Sequence, residues 1–239
     1  MNTSKLFAGL AGSALLAGLT GTAFAADVAP IVPPAPPPMI SPPPAPVANW
    51  TGPYVGGILG YLRSPTLWED DTFGDAPQTL SGILAGVEAG YRFQTGNLVF
   101  GIEGDWAWTN AAGEVDCGPA GAYTCATDFD WLATITGTAG FAIGPSLLVY
   151  AEAGIAFADQ NFMVTGPALD PMTGGQINRG WVLGGGAVAQ LGNGLYIKGE
   201  YNYINFGTDE VEVTNGMLTE DFDLTQNAHV FKLGIGLRF

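Results

Sequence analysis

Ionisable side chains in this chain recur at alternate positions. In the segment LVFGIEGDWAW (98–108), Glu103 and Asp105 sit two residues apart, and in LYIKGEYNY (195–203) Lys198 and Glu200 do the same. Lys232 and Arg238 share one parity in 229–239, as do Glu88 and Arg92 in 81–93, while Asp130 and Glu152 belong to the same parity of their own segments. A period of two puts such residues on one face of an extended strand and the intervening Leu, Ile, Phe and Trp on the other. Charges held on an enclosed face are costly unless they bond to one another. The expectation is therefore one ion network of Glu88, Arg92, Glu103, Asp105, Asp130, Glu152, Lys198, Glu200, Lys232 and Arg238. Two functions fit it: a salt-bridged plug, or a narrow cation-selective path. Inner-parity glycines (Gly86, Gly90, Gly101, Gly184, Gly186, Gly234, Gly236) would leave space for water along such a path.

The elements that position these residues follow from composition and punctuation. The chain has 239 residues, 36 of them Gly, and only 12% are charged. Its net charge of −15 argues against nucleic acid as a partner, because phosphate binding needs Lys and Arg. Residues 1–25 carry Lys5, an apolar stretch from Leu6 to Leu19 and the small-residue site Ala23-Phe24-Ala25, the layout of a cleaved export signal. Residues 26–49 follow as a spacer with ten prolines, which favours extended polyproline II. Docking to the cell wall is the alternative role for that segment. Three tight-turn signals, Thr95-Gly96-Asn97, Gly144-Pro145-Ser146 and Gly192-Asn193-Gly194, lie 48 or 49 residues apart and divide residues 50–239 into four similar units.

Each unit has room for two strands and a long polar loop. The expected strands are 54–62, 81–93, 98–108, 128–143, 147–157, 176–191, 195–203 and 229–239. The first is apolar on both faces, so its facing stays open. Aromatics fall in two groups at the strand ends: Trp106, Trp108, Phe129, Trp131, Phe157, Trp181 and Phe231 near the long loops, and Tyr91, Phe93, Phe141 and Phe239 near the short turns or the terminus. Two interfacial girdles around an apolar band define a membrane-spanning wall. The fold class expected is all-β: an eight-stranded antiparallel up-and-down transmembrane β-barrel at residues 50–239, with short periplasmic turns and four long extracellular loops, located in the cell outer membrane.

Several stretches resemble a known family. Trp50-Thr51-Gly52-Pro53-Tyr54-Val55-Gly56-Gly57 resembles the opening of the small outer-membrane β-barrel (OmpA-like, porin-like surface antigen) family of alphaproteobacteria. The likeness continues through Val99 to Asp105, Tyr150 to Ala156, Gly180 to Gly186, Lys198 to Tyr203 and Phe231 to Phe239. The resemblance implies a surface-exposed, structural role in the envelope. It departs from the family pattern where Leu132 to Ala142 has Thr and Gly but no cation inside, and where Glu88 and Glu152 are additional.

The remaining reactive residues are few. Export places Cys117 and Cys125 in an oxidising compartment, and both fall in the second long loop, so a disulfide is expected. The long loops hold 14 acidic residues and one cation, Arg63. Among them are Glu69, Asp70, Asp71 and Asp75 in the first loop and Asp209, Glu210, Glu212, Glu220, Asp221 and Asp223 in the fourth. A solvated acidic surface explains them better than a dedicated divalent-cation site, since the spacing matches no Ca²⁺ loop. Asn215-Gly216 between two β-prone runs predicts a hairpin that carries the last two strands beyond the membrane. The sole histidine, His229, has no serine two positions on, so no lipid-hydrolysing pair is expected, and neither a catalytic group nor a cofactor or metal site is assigned. A non-enzymatic structural barrel is the first reading, a narrow cation-preferring porin the second and a lipid-modifying enzyme the third. Expected partners are outer-membrane lipids and lipopolysaccharide, and the barrel-assembly machinery through the aromatic-ended last strand.

Overall fold

The computed structural model describes residues 49–69, 76–118, 121–166, 169–217 and 219–239. Residues 1–48, which hold the expected export signal and nearly all of the expected Pro-rich spacer, lie outside the described residues. Nine strands run in chain order: β1 (Gly52–Glu69), β2 (Ala76–Thr95), β3 (Leu98–Thr109), β4 (Ala112–Cys117), β5 (Tyr123–Ile143), β6 (Leu147–Gly166), β7 (Leu169–Gly192), β8 (Leu195–Thr214) and β9 (Thr219–Arg238). All pairings are antiparallel, and β1 pairs with β9 as well as with β2, which closes the sheet on itself. β3 and β4 are two halves of one stave, interrupted at Asn110 and Ala111, and both pair with β2 and β5. The ring therefore has eight staves.

The three tight turns form where their residues demand them. Gly96 takes φ +60°, and Asn193 and Gly194 take +52° and +80°, so the second of these hairpins has the two left-handed residues of a type I′ turn. At the opposite end the strands run much further than the sequence pattern indicated. β8 and β9 pair from Leu195↔Leu237 to Thr214↔Thr219, so the ribbon does extend outward. β8 ends at Thr214 and β9 begins at Thr219, so more than a two-residue Asn-Gly turn joins them. Cys117 and Cys125 form a disulfide between β4 and β5.

Outward-facing residues form a clear band. On β3 Leu98, Phe100, Ile102, Trp106 and Trp108 are exposed, and on β7 Leu191, Leu183 and Trp181, with half-exposed Gly104, Gly185, Ala187 and Ala189 at the alternate positions between them. Ten residue steps of about 3.3 Å, tilted roughly 40°, give about 25 Å, the height of the apolar band of an outer-membrane barrel. Tyr91, Phe93, Phe141 and Phe239 border it at the tight-turn end, and Trp106, Trp108, Trp181 and Phe231 at the other; all are exposed. Trp131 and Phe157 are half-exposed on the same outer border.

Strict alternation fails at one place. A bulge between Phe129 and Trp131 sets two residues of β5 against one step of β6 (Phe129↔Gln160, Trp131↔Asp159). The extra residue reverses the facing upstream of it. Phe129 is consequently buried inside rather than in the girdle, and Asp130 is exposed, bonded by Asn161 at 3.0 Å, rather than part of the inner ion network. The facing of β1 is settled by its neighbours: Tyr54, Ile58 and Leu62 point inward, Val55, Leu59 and Tyr61 outward.

The wall has one seam. β7 and β8 pair at Thr173↔Thr214 and again from Trp181↔Asn205, but 174–180 and 206–213 do not pair with each other. Both stretches remain paired on their far sides, to β6 and β9. A cavity of about 200 Å³ opens there, lined by Gln176, Ile177, Asn178, Arg179, Asp209 and Glu210.

Candidate functional site

The interior is a stack of tiers, legible in full along β6. On β6, Leu148 and Tyr150 are followed by Glu152, then Ala156 and Ala158, then Gln160, then Phe162 and Val164, all buried. The other staves contribute to these layers unequally: the charged side chains come from β2, β3, β6, β8 and β9, while β1 and β7 carry Gly and β5 carries Thr at that level. The tier at the tight-turn end contains Trp50, Tyr54, Val99, Ala142, Leu148, Tyr150, Val188 and Tyr196. Trp50, from just before β1, is fully buried there, its backbone N–H donating to Gln94 Oε1 at 2.7 Å.

The charged tier sits directly above. Lys198 Nζ lies 2.6 Å from Glu103 and 2.9 Å from Glu200, and also pairs with Glu88. Lys232 Nζ bridges Asp105 at 2.9 Å and Glu200 at 2.6 Å. Arg92 reaches Glu103 at 3.6 Å, with its guanidinium 3.9 Å from the centre of the Tyr54 ring. Tyrosine hydroxyls supply further donors: Tyr54 to Glu103 at 2.5 Å, Tyr196 to Glu88 at 2.7 Å, and Tyr150 to Glu200. Thr134 donates to Asp105 at 2.8 Å; Glu152 forms no ion pair among the described residues and accepts from Thr136 at 3.0 Å and Asn202 at 2.6 Å. Five carboxylates (Glu88, Glu103, Asp105, Glu152, Glu200) thus face three cations (Arg92, Lys198, Lys232), a formal excess of two negative charges.

Of the ten residues expected in this network, eight are together. Asp130 is outside for the reason given, and Arg238 sits apart at the tight-turn mouth, donating at 3.4 Å to the Thr51 carbonyl. The carboxylates of Glu103, Asp105 and Glu200 come close enough to hold a metal ion, within 4.8 Å of one another. The ammonium groups of Lys198 and Lys232 bond to these same side chains, so protein cations already neutralise the position a metal would take.

Three of the seven inner glycines, Gly90, Gly186 and Gly236, make room for tyrosines, and Gly101, Gly184 and Gly234 lie close to other polar side chains. A Cβ on Gly236 would lie 2.5 Å from the Tyr196 hydroxyl, one on Gly186 2.8 Å from that of Tyr150, and one on Gly90 would collide with Tyr54. The period-two pattern did place Tyr196 on the face of Lys198 and Glu200. What it could not reveal was that its acceptor, Glu88, lies 108 residues away, nor that Trp50 closes the base.

Above the ions, Ile58, Leu62, Leu84, Phe129, Leu132, Val182, Ile204, Phe206 and Val230 form a continuous apolar tier. Beyond it, Gln160 Nε2 donates to Gln226 at 2.6 Å and Gln226 Nε2 to Thr66 at 2.9 Å. The outermost tier gathers Trp68, the Cys117–Cys125 pair, Phe162, Val211 and Leu224, with Trp68 and Phe162 edge to face at 5.9 Å. The acidic residues of the last hairpin, Glu210, Glu212, Asp221 and Asp223, are exposed on β8 and β9 instead of in a coil, with Glu210 opposite Asp223 and Glu212 opposite Asp221. The expected acidic positions 70, 71 and 75 lie outside the described residues.

A closed ring of eight up-and-down strands, a lipid-height apolar band between aromatic borders and a buried ionic interior define an outer-membrane β-barrel. The chain belongs to the outer membrane protein beta-barrel domain family, whose model matches residues 35–239. It is 28% identical over 223 residues to the 31 kDa outer-membrane immunogenic protein of Brucella melitensis biotype 1, covering 84% of this chain and 91% of that one. It is 30% identical over 232 residues to the 25 kDa outer-membrane immunogenic protein of the same organism, covering 95% of each chain. Among solved structures, OprG from Pseudomonas aeruginosa shares the fold, with a TM-score of 0.56 at 14% identity, over 80% of this chain and 98% of that one. The protein is accordingly an outer-membrane protein with surface-antigen relatives.

Proposed function

We propose that this barrel is a non-enzymatic, structural component of the outer membrane, surface-exposed and closed to ions. The observation that carries this reading is the layering: the charged tier lies between two apolar tiers, one anchored by fully buried Trp50 and the other spanning β1 to β9. An ion leaving the network in either direction would have to shed its hydration without polar partners, which is prohibitive in a low-dielectric interior. Eight strands leave a bore that side chains can fill. Against catalysis, His229 Nδ1 is engaged by the Tyr201 hydroxyl at 2.8 Å, on the outer wall. Residues 1–25 serve as the export signal and 26–49 as a periplasmic spacer in this reading, and the last strand, ending in Phe239, is the segment presented to the assembly machinery.

A second reading, a narrow cation-preferring pore, is favoured by the excess of two negative charges and by two buried atoms without hydrogen-bond partners, Arg92 Nη1 and Asn202 Oδ1. Planar-bilayer recording on purified protein separates the two. The structural reading expects a silent membrane. Steady, cation-selective single-channel currents would replace it with the pore.

A further inference from the structure

The outward face changes character at one level on β1, β7, β8 and β9. Above Tyr61 comes Arg63, above Phe231 comes His229, above Trp181 comes Arg179, and above Tyr203 comes Asn205. This is the first polar ring beyond the apolar band, the level of lipid headgroups. The chain has seven Lys and Arg in all. Lys5 lies in the export signal, Arg92, Lys198 and Lys232 are interior, and Arg238 is at the opposite mouth. Arg63 and Arg179 are the two that face outward, and both stand in this ring.

Their surroundings differ. Arg179 borders the seam cavity beside Asp209 and Glu210. Arg63 lies directly across from His229 in the β1–β9 ladder and borders a lateral pocket of about 550 Å³ lined by Tyr61, Arg63, Pro65, Tyr201, His229 and Phe231. No carboxylate lines that pocket, and Arg63 forms no ion pair among the described residues. Glu69, the next acid along β1, is six residues on, about 20 Å of strand, well beyond a Debye length of about 8 Å. The Tyr201 hydroxyl holds His229 by Nδ1, Nε2 has no hydrogen-bond partner among the described residues, and Tyr201 packs on Phe231 with ring centres 5.0 Å apart.

We infer that this pocket binds a phosphorylated lipid of the outer leaflet, with the phosphate on Arg63 and its acyl chains against Tyr61 and Phe231 below. The guanidinium offers paired donors shaped for phosphate oxygens. Tyr201 and His229 Nε2 complete the polar rim, and the aromatic floor continues into the apolar band, which a free anion would not need. This assignment concerns the outer wall and does not depend on whether the lumen conducts.

The test uses the full chain, folded in a phosphate-free maltoside detergent, with bound lipid counted by native mass spectrometry. The probes are diphosphorylated lipid A, the same lipid stripped of its phosphates, and inorganic phosphate. Variants are Arg63→Glu, the milder Arg63→Gln, and Arg179→Glu as the same-level control, each checked for heat-modifiable gel mobility. Loss of a charge-assisted phosphate bond should weaken diphosphorylated lipid A binding about 10- to 100-fold in either Arg63 variant, leave Arg179→Glu within about twofold, and match the weak binding of the stripped lipid to the wild type. Inorganic phosphate in about tenfold excess should not displace the lipid. Wild-type binding by folded Arg63→Gln, equal binding of stripped lipid, or displacement by inorganic phosphate would each overturn the assignment.

Discussion

Replacing Lys198 by Met tests the interior most directly. The substitution removes the charge, keeps most of the chain's bulk, and acts on a side chain that is fully buried among Glu88, Glu103 and Glu200. The wild-type tier has five carboxylates against three cations; the variant has five against two. Removing one partner from a buried pair leaves the remaining charges uncompensated and costs about 3–5 kcal/mol. Here three carboxylates lose one common partner, so the upper half of that range is expected. Glu88 depends on Lys198 and the Tyr196 hydroxyl, so Glu88→Gln in the same chain restores the original charge difference and keeps the tyrosine's acceptor. Urea unfolding of the barrel in lipid vesicles, followed by tryptophan fluorescence, reads both. The Lys198→Met chain should lose several kcal/mol, and Glu88→Gln added to it should recover at least about a third of the loss, a coupling within the range seen for contacting residues. A single variant within about 1 kcal/mol of wild type, with the double variant merely additive, would refute the claim that this network is closed and unhydrated.

Two further predictions concern the outer extension. Converting Cys117 and Cys125 to Ser opens a loop closed across eight residues, worth about 2.5 kcal/mol of chain entropy, and this loss should appear as protease sensitivity between β4 and β5 while the membrane band stays heat-modifiable. Amide exchange measured by mass spectrometry should be faster in 174–180 and 206–213 than in 182–189 and 196–203, because the first two stretches lack each other as ladder partners at the seam; equal protection would mean that β7 and β8 zip fully in solution.

Much of the architecture was written in short-range pattern. The Gly96, Asn193 and Gly194 backbones need left-handed φ at the tight turns, and period two separates Glu103 and Asp105 from Ile102 and Trp106 without reference to any other strand. These are local constraints, and they were enough for eight staves, for the apolar band and for eight of the ten interior ions. The tertiary structure alone decided the rest. The β5 bulge turned Phe129 inward and Asp130 outward, because facing depends on how many residues oppose β6, a property of the pair. Three of the glycines that seemed to open the lumen, Gly90, Gly186 and Gly236, admit Tyr54, Tyr150 and Tyr196 from other strands, and only the closed ring brings those hydroxyls to their carboxylates. Likewise Arg63 reads in sequence as a solitary loop cation, and it acquires His229 and an aromatic floor because β9 closes the ring against β1.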